Sequence, residues 1–398
     1  MTVRQLQVHA PQGWCASLSH DASGYWLSTP GTQPTTEVCL SMPHRARPYE
    51  SRELPPIFQM NLPEGRVLEA IRYRLAKTTA VDPMLLLSLT GAKAPIGRLR
   101  CLLDNDSAKD GVTEPGESLA QILAWDGAQD LFDELFDKYV MSSGISGVQP
   151  KVLVPEATLK GGKVTTLTNN LIVKSGQDEF PHLAVNEFVC MSIAREAGLR
   201  TPEFFLSDNR QLFVMRRFDR TADGAPLGFE DFAVLTGRTP LQKYEGSYEM
   251  VAKAVRLYAD AAHLRRSLRE LFSSVALSCM LGNGDAHLKN FGLTYTWPGS
   301  GDVQLSPAFD IVNTTLYLPG DTLALKLAGG KSIFAARLGL VDLARACEVS
   351  DPTAVIDTLI EAAHAVVFTH HDLLKEAPGL EEALMHGVHQ FEQGFPRG

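Results

Sequence analysis

The sequence contains no apolar run near the twenty or so residues that span a bilayer, no Cys-x-x-Cys pair and no excess of positive charge. The first absence excludes membrane-spanning helices. The second leaves six scattered cysteines, Cys15, Cys39, Cys101, Cys190, Cys279 and Cys347. Several sit in apolar surroundings, such as Val38-Cys39-Leu40, so reduced, buried thiols are expected rather than a disulfide frame or a zinc site. The third absence is quantitative: Lys plus Arg number 37 against 46 Asp plus Glu, a net charge of −9. That balance argues against a chain that wraps nucleic acid by itself, though it allows a local basic patch. The opening Met-Thr-Val-Arg-Gln-Leu-Gln is too polar for the apolar core of a signal peptide, and the expected location is the cytoplasm. Internal repeats are absent too. So are the Walker phosphate loop and the Gly-x-Gly-x-x-Gly pattern.

What is present is a change of texture along the 398 residues. To about Ser51 the chain reads as short strands between Gly and Pro turns. Pro55-Pro56 breaks this. Helices are expected from Glu64 to Lys77 and from Asp82-Pro83 to just before Gly91, then a strand from Ile96 to Leu103. Residues 104–118 read as a connector. From Lys151 the segments Val152–Val154, Val164–Leu167 and Leu171–Lys174 alternate with turns, as in an antiparallel sheet. An amphipathic helix fits Leu183–Ala197, stopped by Gly198. Strands fit Glu203–Leu206 and Leu212–Arg216, joined through Asp208-Asn209. Helices are expected at Met250–Ala262 and Leu264–Leu281, then a strand pair, Gly292–Thr296 and Val303–Leu305. Three or four more helices follow Ser332.

Gly282-Asn283-Gly284-Asp285-Ala286-His287-Leu288-Lys289-Asn290-Phe291 carries the most chemical information. Asn-Gly-Asp alone is an ordinary turn. Its company adds meaning: Asn290 stands five residues after Asp285, and Asp310 lies just past the strand pair in Pro307-Ala308-Phe309-Asp310. Protein kinases space their phosphoryl-transfer parts this way. One Asp takes the acceptor proton, an Asn holds magnesium, and a second Asp bridges magnesium to phosphate. Upstream, Lys174 ends an apolar strand and Glu187 lies in the following helix, where a carboxylate could orient a phosphate-binding lysine. A surface lysine with a solvated helix glutamate is the other reading. Leu212–Arg216 running into Arg217-Phe218-Asp219-Arg220 reads as a strand entering an adenine-binding hinge, or as a core strand before a charged turn. The loop Ser142-Ser143-Gly144-Ile145-Ser146-Gly147-Val148-Gln149-Pro150-Lys151, with two glycines and several hydroxyls, suits a phosphate cradle, or a flexible linker.

Taken together, Ser146–Lys151, Val173-Lys174, Arg217–Arg220, Gly284–Phe291 and Pro307–Asp310 resemble the HipA family of serine/threonine kinases, toxins of type II toxin–antitoxin systems. Phe58-Gln59-Met60-Asn61-Leu62-Pro63-Glu64-Gly65 resembles that family's N-terminal subdomain. The resemblance implies an α+β, protein-kinase-like two-lobed fold. It would have an added N-terminal subdomain (1–130), a strand-rich N-lobe (131–220) and an all-helical C-lobe (221–398), with ATP and Mg²⁺ as cofactors. By motif position, Asp285 would be the catalytic base, and Asn290 and Asp310 would hold the metal. Ser146, Gly147, Val148, Gln149, Pro150, Lys151 and Lys174 would bind the phosphates. Arg216, Arg217 and Phe218 would hold adenine, while His287, Lys289 and Asn290 would line the phosphate end. Glu187 would support Lys174.

Two departures matter. Gly284 replaces the Arg that precedes the catalytic Asp in eukaryotic-type kinases, so control through that Arg is not expected. Gly144 stands where many members carry a self-phosphorylated Ser, which makes Ser146 the candidate autophosphorylation site; phosphate there would empty the cradle by repulsion. The implied partners are a small helix-turn-helix antitoxin of the HipB type and a protein substrate, an aminoacyl-tRNA synthetase, with operator DNA reached only through the antitoxin. An aminoglycoside-type phosphotransferase and a catalytically weak corepressor are the alternatives.

Overall fold

The structure, a computed structural model, describes residues 3–29, 31–76, 81–93, 95–104, 116–127, 130–145, 149–160, 163–176, 179–333 and 336–395. Two compact units are formed. One comprises Met1–Ser175, Ser207–Glu230 and Thr294–Ser300; the other comprises Gly176–Leu206, Asp231–Leu293 and Gly301–Gly398.

The first unit opens with an antiparallel sheet of five strands, in the order Tyr49–Ser51, Gly24–Ser28, Gly13–Asp21, Gln5–Ala10, Arg100–Leu102. Its inward face follows from period-two alternation: Leu6, Val8, Ala16, Leu18 and Leu27 are buried. Gly24 takes φ +143°, and a Cβ there would meet the Ser51 carbonyl at 2.5 Å, so the close strand pairing needs glycine. The expected helices are Gly65–Leu75 and Pro83–Lys93; the second runs through Gly91 rather than ending before it. The expected strand Ile96–Leu103 contracts to Arg100–Leu102, because Asn61 and Asp219 take the main-chain N–H groups of Ile96 and Gly97.

A second sheet in this unit pairs Lys151–Lys160 with Lys163–Ser175, and the latter with Leu212–Arg216. The two short strands expected around Val164 and Leu171 are one continuous strand. A bulge sets the register from Val154↔Leu171 to Glu156↔Leu167, so the extra residues are absorbed without a turn. Pro155, lacking an N–H, stands at this bulge.

The second unit is built on helices Leu183–Glu196, Tyr248–Tyr258, Ala261–Met280, Ala336–Ala346, Pro352–Thr369 and Leu380–Gly394. Pro352–Thr369 packs against the first, third and last of these. Its start is capped by Asp351, which accepts from the Ala354 N–H, with Pro352 at the first helical position. Leu183–Glu196 is buried nearly all round, not on one face as amphipathicity would require; between Ala184 and Ala194 every residue but Phe188 is buried. The strand after Gly282–Phe291 begins at Gly292 and runs beside Gln304–Leu305. Their pairing is marked by the Ser306 N–H donating to the Gly292 carbonyl at 2.8 Å. Among the described residues no helix is long and apolar enough to cross a membrane.

Candidate active site

The site in the second unit starts from a helix end. Ala261–Met280 closes with the Asn283 N–H on the Ser278 carbonyl at 2.8 Å and the Gly282 N–H on the Cys279 carbonyl at 3.4 Å. Gly282 is at φ +65°. This is a Schellman ending, and it needs the left-handed glycine. Asn283 then accepts the Asp285 N–H on Oδ1 at 3.0 Å. The His287 N–H reaches the Asp285 carbonyl at 2.8 Å, and the Asn290 N–H reaches the His287 carbonyl at 3.0 Å. The buried Tyr248 hydroxyl donates to the Ala286 carbonyl at 3.0 Å. The loop is therefore held by main-chain bonds that leave the Asp285 carboxylate half-exposed.

A second segment pins the loop from behind. The Gly284 N–H donates to Thr314 Oγ1 at 2.7 Å, and that hydroxyl donates to Asp321 Oδ2 at 2.5 Å. A Cβ on Gly284 would collide with the Asp321 carboxyl group and lie 2.7 Å from the Thr322 carbonyl. The position where eukaryotic-type kinases carry Arg is thus closed in this chain. Gly284→Ala is expected to cost about 1–3 kcal/mol, the usual penalty of overpacking, measurable as a lowered urea midpoint. An unchanged midpoint would show that Asp321 moves aside freely.

Asn290 and Asp310 meet directly: Asn290 Nδ2 donates to Asp310 Oδ2 at 3.0 Å. Asn290 Oδ1 is buried and has no hydrogen-bond partner among the described residues. Asp310 stands at φ +60°, a conformation costly for a residue other than Gly and often kept at functional positions. A pocket opens here, lined among others by Ser278, Asn283, Asn290, Ser306, Phe309 and Asp310. An orphaned amide oxygen beside a carboxylate fits a hard divalent cation, which takes one or two protein oxygens and keeps waters and phosphate oxygens otherwise. Among the described residues no cluster of three His, Cys, Asp or Glu offers a denser metal site.

His287 is buried, with Nε2 3.9 Å from Asp285 Oδ1. Burial first, then the nearby Lys243, push its pKa down to about 3, against a smaller opposing pull from Asp310. The ring is therefore neutral at physiological pH. The unfolded chain protonates His287 near pH 6.5 and the folded chain does not. Its contribution to stability is thus complete above about 6.5 and is lost as pH falls toward 3. Wild type is expected to lose about 1.4 kcal/mol per pH unit more than His287→Gln between pH 6 and 4.5, read from urea unfolding at each pH. Parallel curves would refute this.

Tyr244, which sequence reading did not single out, donates its hydroxyl to Asp285 Oδ1 at 2.7 Å. It lies 41 residues upstream in a turn, and no local pattern announces it.

In the first unit, Lys151 and Lys174 stand directly opposite each other on adjacent strands. They are 7% and 3% exposed, and Glu187 in the second unit is 0% exposed, so the reading of a surface lysine and a solvated glutamate does not hold. Arg216 is clasped by Glu156, Nη2 to Oε1 at 2.5 Å and Nε to Oε2 at 3.1 Å. The Arg217 side chain is wholly buried on Asp219. Both guanidinium groups are thus engaged with carboxylates, which leaves mainly main-chain groups at this stretch for a base. The Phe218 ring packs edge-on against Phe229 at 5.3 Å. Lys289 is the middle residue of a short 3₁₀ turn, Leu288–Asn290. Gln149 and Pro150 precede the first strand of the hairpin; the Pro150 carbonyl accepts from the Ser175 N–H at 3.2 Å. Ser146, Gly147 and Val148 lie outside the described residues. Gly144 is described, and a Cβ there would press on Thr90 at 3.1 Å, so this position too is tight.

Comparison with known proteins agrees with the two-part sequence resemblance. Residues 6–102 match the HipA N-terminal domain, and residues 143–367 match the HipA-like C-terminal domain. The protein named "Putative kinase Y4dM" of Sinorhizobium fredii is 31% identical over 83% of this chain and 80% of its own length. Y4mE of the same organism, similarly named, is 26% identical over 94% of both chains. The solved HipA of Shewanella oneidensis MR-1, determined with HipB and operator DNA, superposes with a TM-score of 0.69 at 17% identity, over 98% of this chain and 97% of that one. The chain belongs to the HipA family and has its mixed helix-and-sheet, kinase-like fold.

Proposed function

We propose that this chain is an ATP- and magnesium-dependent serine/threonine protein kinase, the toxin of a toxin–antitoxin pair, and that it phosphorylates a protein of translation, of the aminoacyl-tRNA synthetase class. The observation that carries this reading is the pairing of Asn290 with Asp310, and its orphaned amide oxygen, in the same unit as the exposed Asp285 carboxylate. Asp285 takes the proton of the acceptor hydroxyl as that oxygen bonds the γ-phosphorus and the bridge to ADP breaks. Asn290 and Asp310 would hold magnesium, which when bound supplies charge neutralisation at the phosphate oxygens. Lys151 and Lys174, buried opposite each other on adjacent strands, are assigned to the phosphates. The match of residues 6–102 to the HipA N-terminal domain favours this reading over a small-molecule phosphotransferase.

The antitoxin is proposed to be a small helix-turn-helix protein, since the solved relative was determined with HipB and operator DNA. The net charge of −9 suits a chain that reaches DNA only through such a partner. The test is phosphoproteomics after brief induction of wild type against Asp285→Asn. A new phosphosite on a synthetase in wild type alone is expected, and a phosphate on Ser146 would be read in the same data. Identical phosphoproteomes would overturn the proposal.

A further inference from the structure

Tyr244 sits where an acceptor hydroxyl belongs. A general base must lie within hydrogen-bond reach of the proton it removes, and the Tyr244 O–H meets Asp285 Oδ1 at 2.7 Å. The ring is 44% exposed, yet it is steered from several sides. It stands edge-on to the His287 ring at 5.2 Å, and Lys243 Nζ lies 5.0 Å from its centroid. The short segment that carries it is anchored as well. The Lys243 carbonyl accepts the Leu288 N–H at 3.1 Å, and Lys331 Nζ donates to the Tyr244 carbonyl at 3.4 Å. Just upstream, Thr239 and Gln242 form a capping box around Pro240–Gln242. Glycines in the left-handed region, Gly237 at φ +67° and Gly246 at φ +116°, bound the segment at either end. Between them Leu241 is 94% exposed, an apolar side chain presented to solvent three residues from the tyrosine.

We infer that Tyr244 holds the acceptor seat, and that a protein substrate is engaged by displacing this hydroxyl from Asp285. The inference rests on Asp285 being the base, as proposed above. It assigns Tyr244 as the residue that decides which hydroxyl reaches that base. While its O–H bonds Oδ1, a water molecule must compete for this oxygen as proton acceptor, so idle hydrolysis of ATP is slowed. An incoming Ser or Thr hydroxyl replaces the phenol one for one, so the base exchanges one donor for another at little cost. The two glycines give the segment the backbone freedom to swing away.

The test uses full-length protein with magnesium-ATP and water as acceptor. Tyr244→Phe keeps the ring and its packing on His287 but removes the donor. ATP hydrolysis is expected to rise about ten- to a hundredfold, roughly the weight of one hydrogen bond to a charged group, with KM for ATP unchanged. The acid limb of the pH–rate profile is expected to move to higher pH, because a carboxylate that loses a donor is easier to protonate. A merely structural tyrosine would move neither quantity in this direction. Tyr244→Ala, which also removes the ring, serves as the second variant, and thermal midpoints check that both remain folded. Asp285→Asn in each background must return hydrolysis to baseline. Hydrolysis that depends on Asp285 but is unchanged or lowered in both tyrosine variants, with an unmoved acid limb, would overturn the role of Tyr244 and leave the kinase reading standing. No Asp285-dependent hydrolysis in any background would overturn both.

Discussion

Asp285→Asn is expected to lower phosphoryl transfer by about 10²–10⁴-fold, the usual weight of a general base, and to abolish growth arrest on induction. The substitution is nearly isosteric, and main-chain bonds hold the shape of the loop. The Asp285 N–H is held by Asn283 and its carbonyl by the His287 N–H. Gly284 is anchored to Thr314, and Ala286 to Tyr248. A neutral amide can still accept from the Tyr244 hydroxyl. The thermal midpoint is therefore expected to stay near that of wild type while activity falls. The measurement is transfer of labelled phosphate from ATP to total protein, beside differential scanning of both proteins. A loss of activity accompanied by a comparable loss of stability would assign Asp285 to the fold. Full growth arrest in the variant would remove it from the chemistry.

Much of this site could be read from the chain because its parts are close in sequence. Asp285, His287 and Asn290 lie within one loop, and that loop follows a helix whose end is written in Gly282. Asp310 was accessible through its place after a strand pair, although its left-handed backbone was not. What escaped reading depends on packing between distant segments. Tyr244 reaches Asp285 from a turn of unremarkable composition. Gly284 is glycine because Asp321, far along the chain, fills the space beside it. Leu183–Glu196 carries Asn186, Glu187 and Ser192 among apolar residues, so its pattern resembles a one-sided helix. Yet all three are buried, and Asn186 exchanges hydrogen bonds with Asn313, Nδ2 to the carbonyl and Oδ1 from the N–H, each at 2.8 Å. A polar residue satisfied inside the fold and one facing water leave the same mark on a sequence. The same blindness explains Val164–Leu167 and Leu171–Lys174. The polar stretch between them reads as a turn but is the long side of a bulge.

The charged stretch after strand Leu212–Arg216 leads to the second large effect: Asp219→Asn is expected to destabilise the first unit by about 3–5 kcal/mol. Arg217-Phe218-Asp219-Arg220 reads as a hinge or a charged turn, yet Asp219 is buried and gathers two arginines. Arg217 approaches in a fork, Nε to Oδ1 at 2.8 Å and Nη2 to Oδ2 at 2.6 Å, while Arg220 Nη1 lies 3.1 Å from Oδ2. The Gly97 N–H also donates to Oδ2, at 2.6 Å. Both guanidinium groups bond the Pro95 carbonyl, at 2.6 and 2.9 Å. The cluster thus ties residues 217–220 to the loop at 95–97. Burial alone would raise the Asp219 pKa, but the two arginines outweigh it and hold the carboxyl at about 2. Its contribution is therefore complete above about pH 4 and lost only as pH falls toward 2. An amide in its place removes the carboxylate that the two buried guanidinium groups share. Urea unfolding at pH 7 measures the loss. Replacing all three charges together, as Arg217→Met, Asp219→Leu and Arg220→Met, is expected to recover part of it, because the penalty comes from the unmatched charge and not from the absence of the pair. A triple variant less stable than Asp219→Asn would show that the bonds to Pro95 and Gly97, rather than charge balance, carry the stability of this junction.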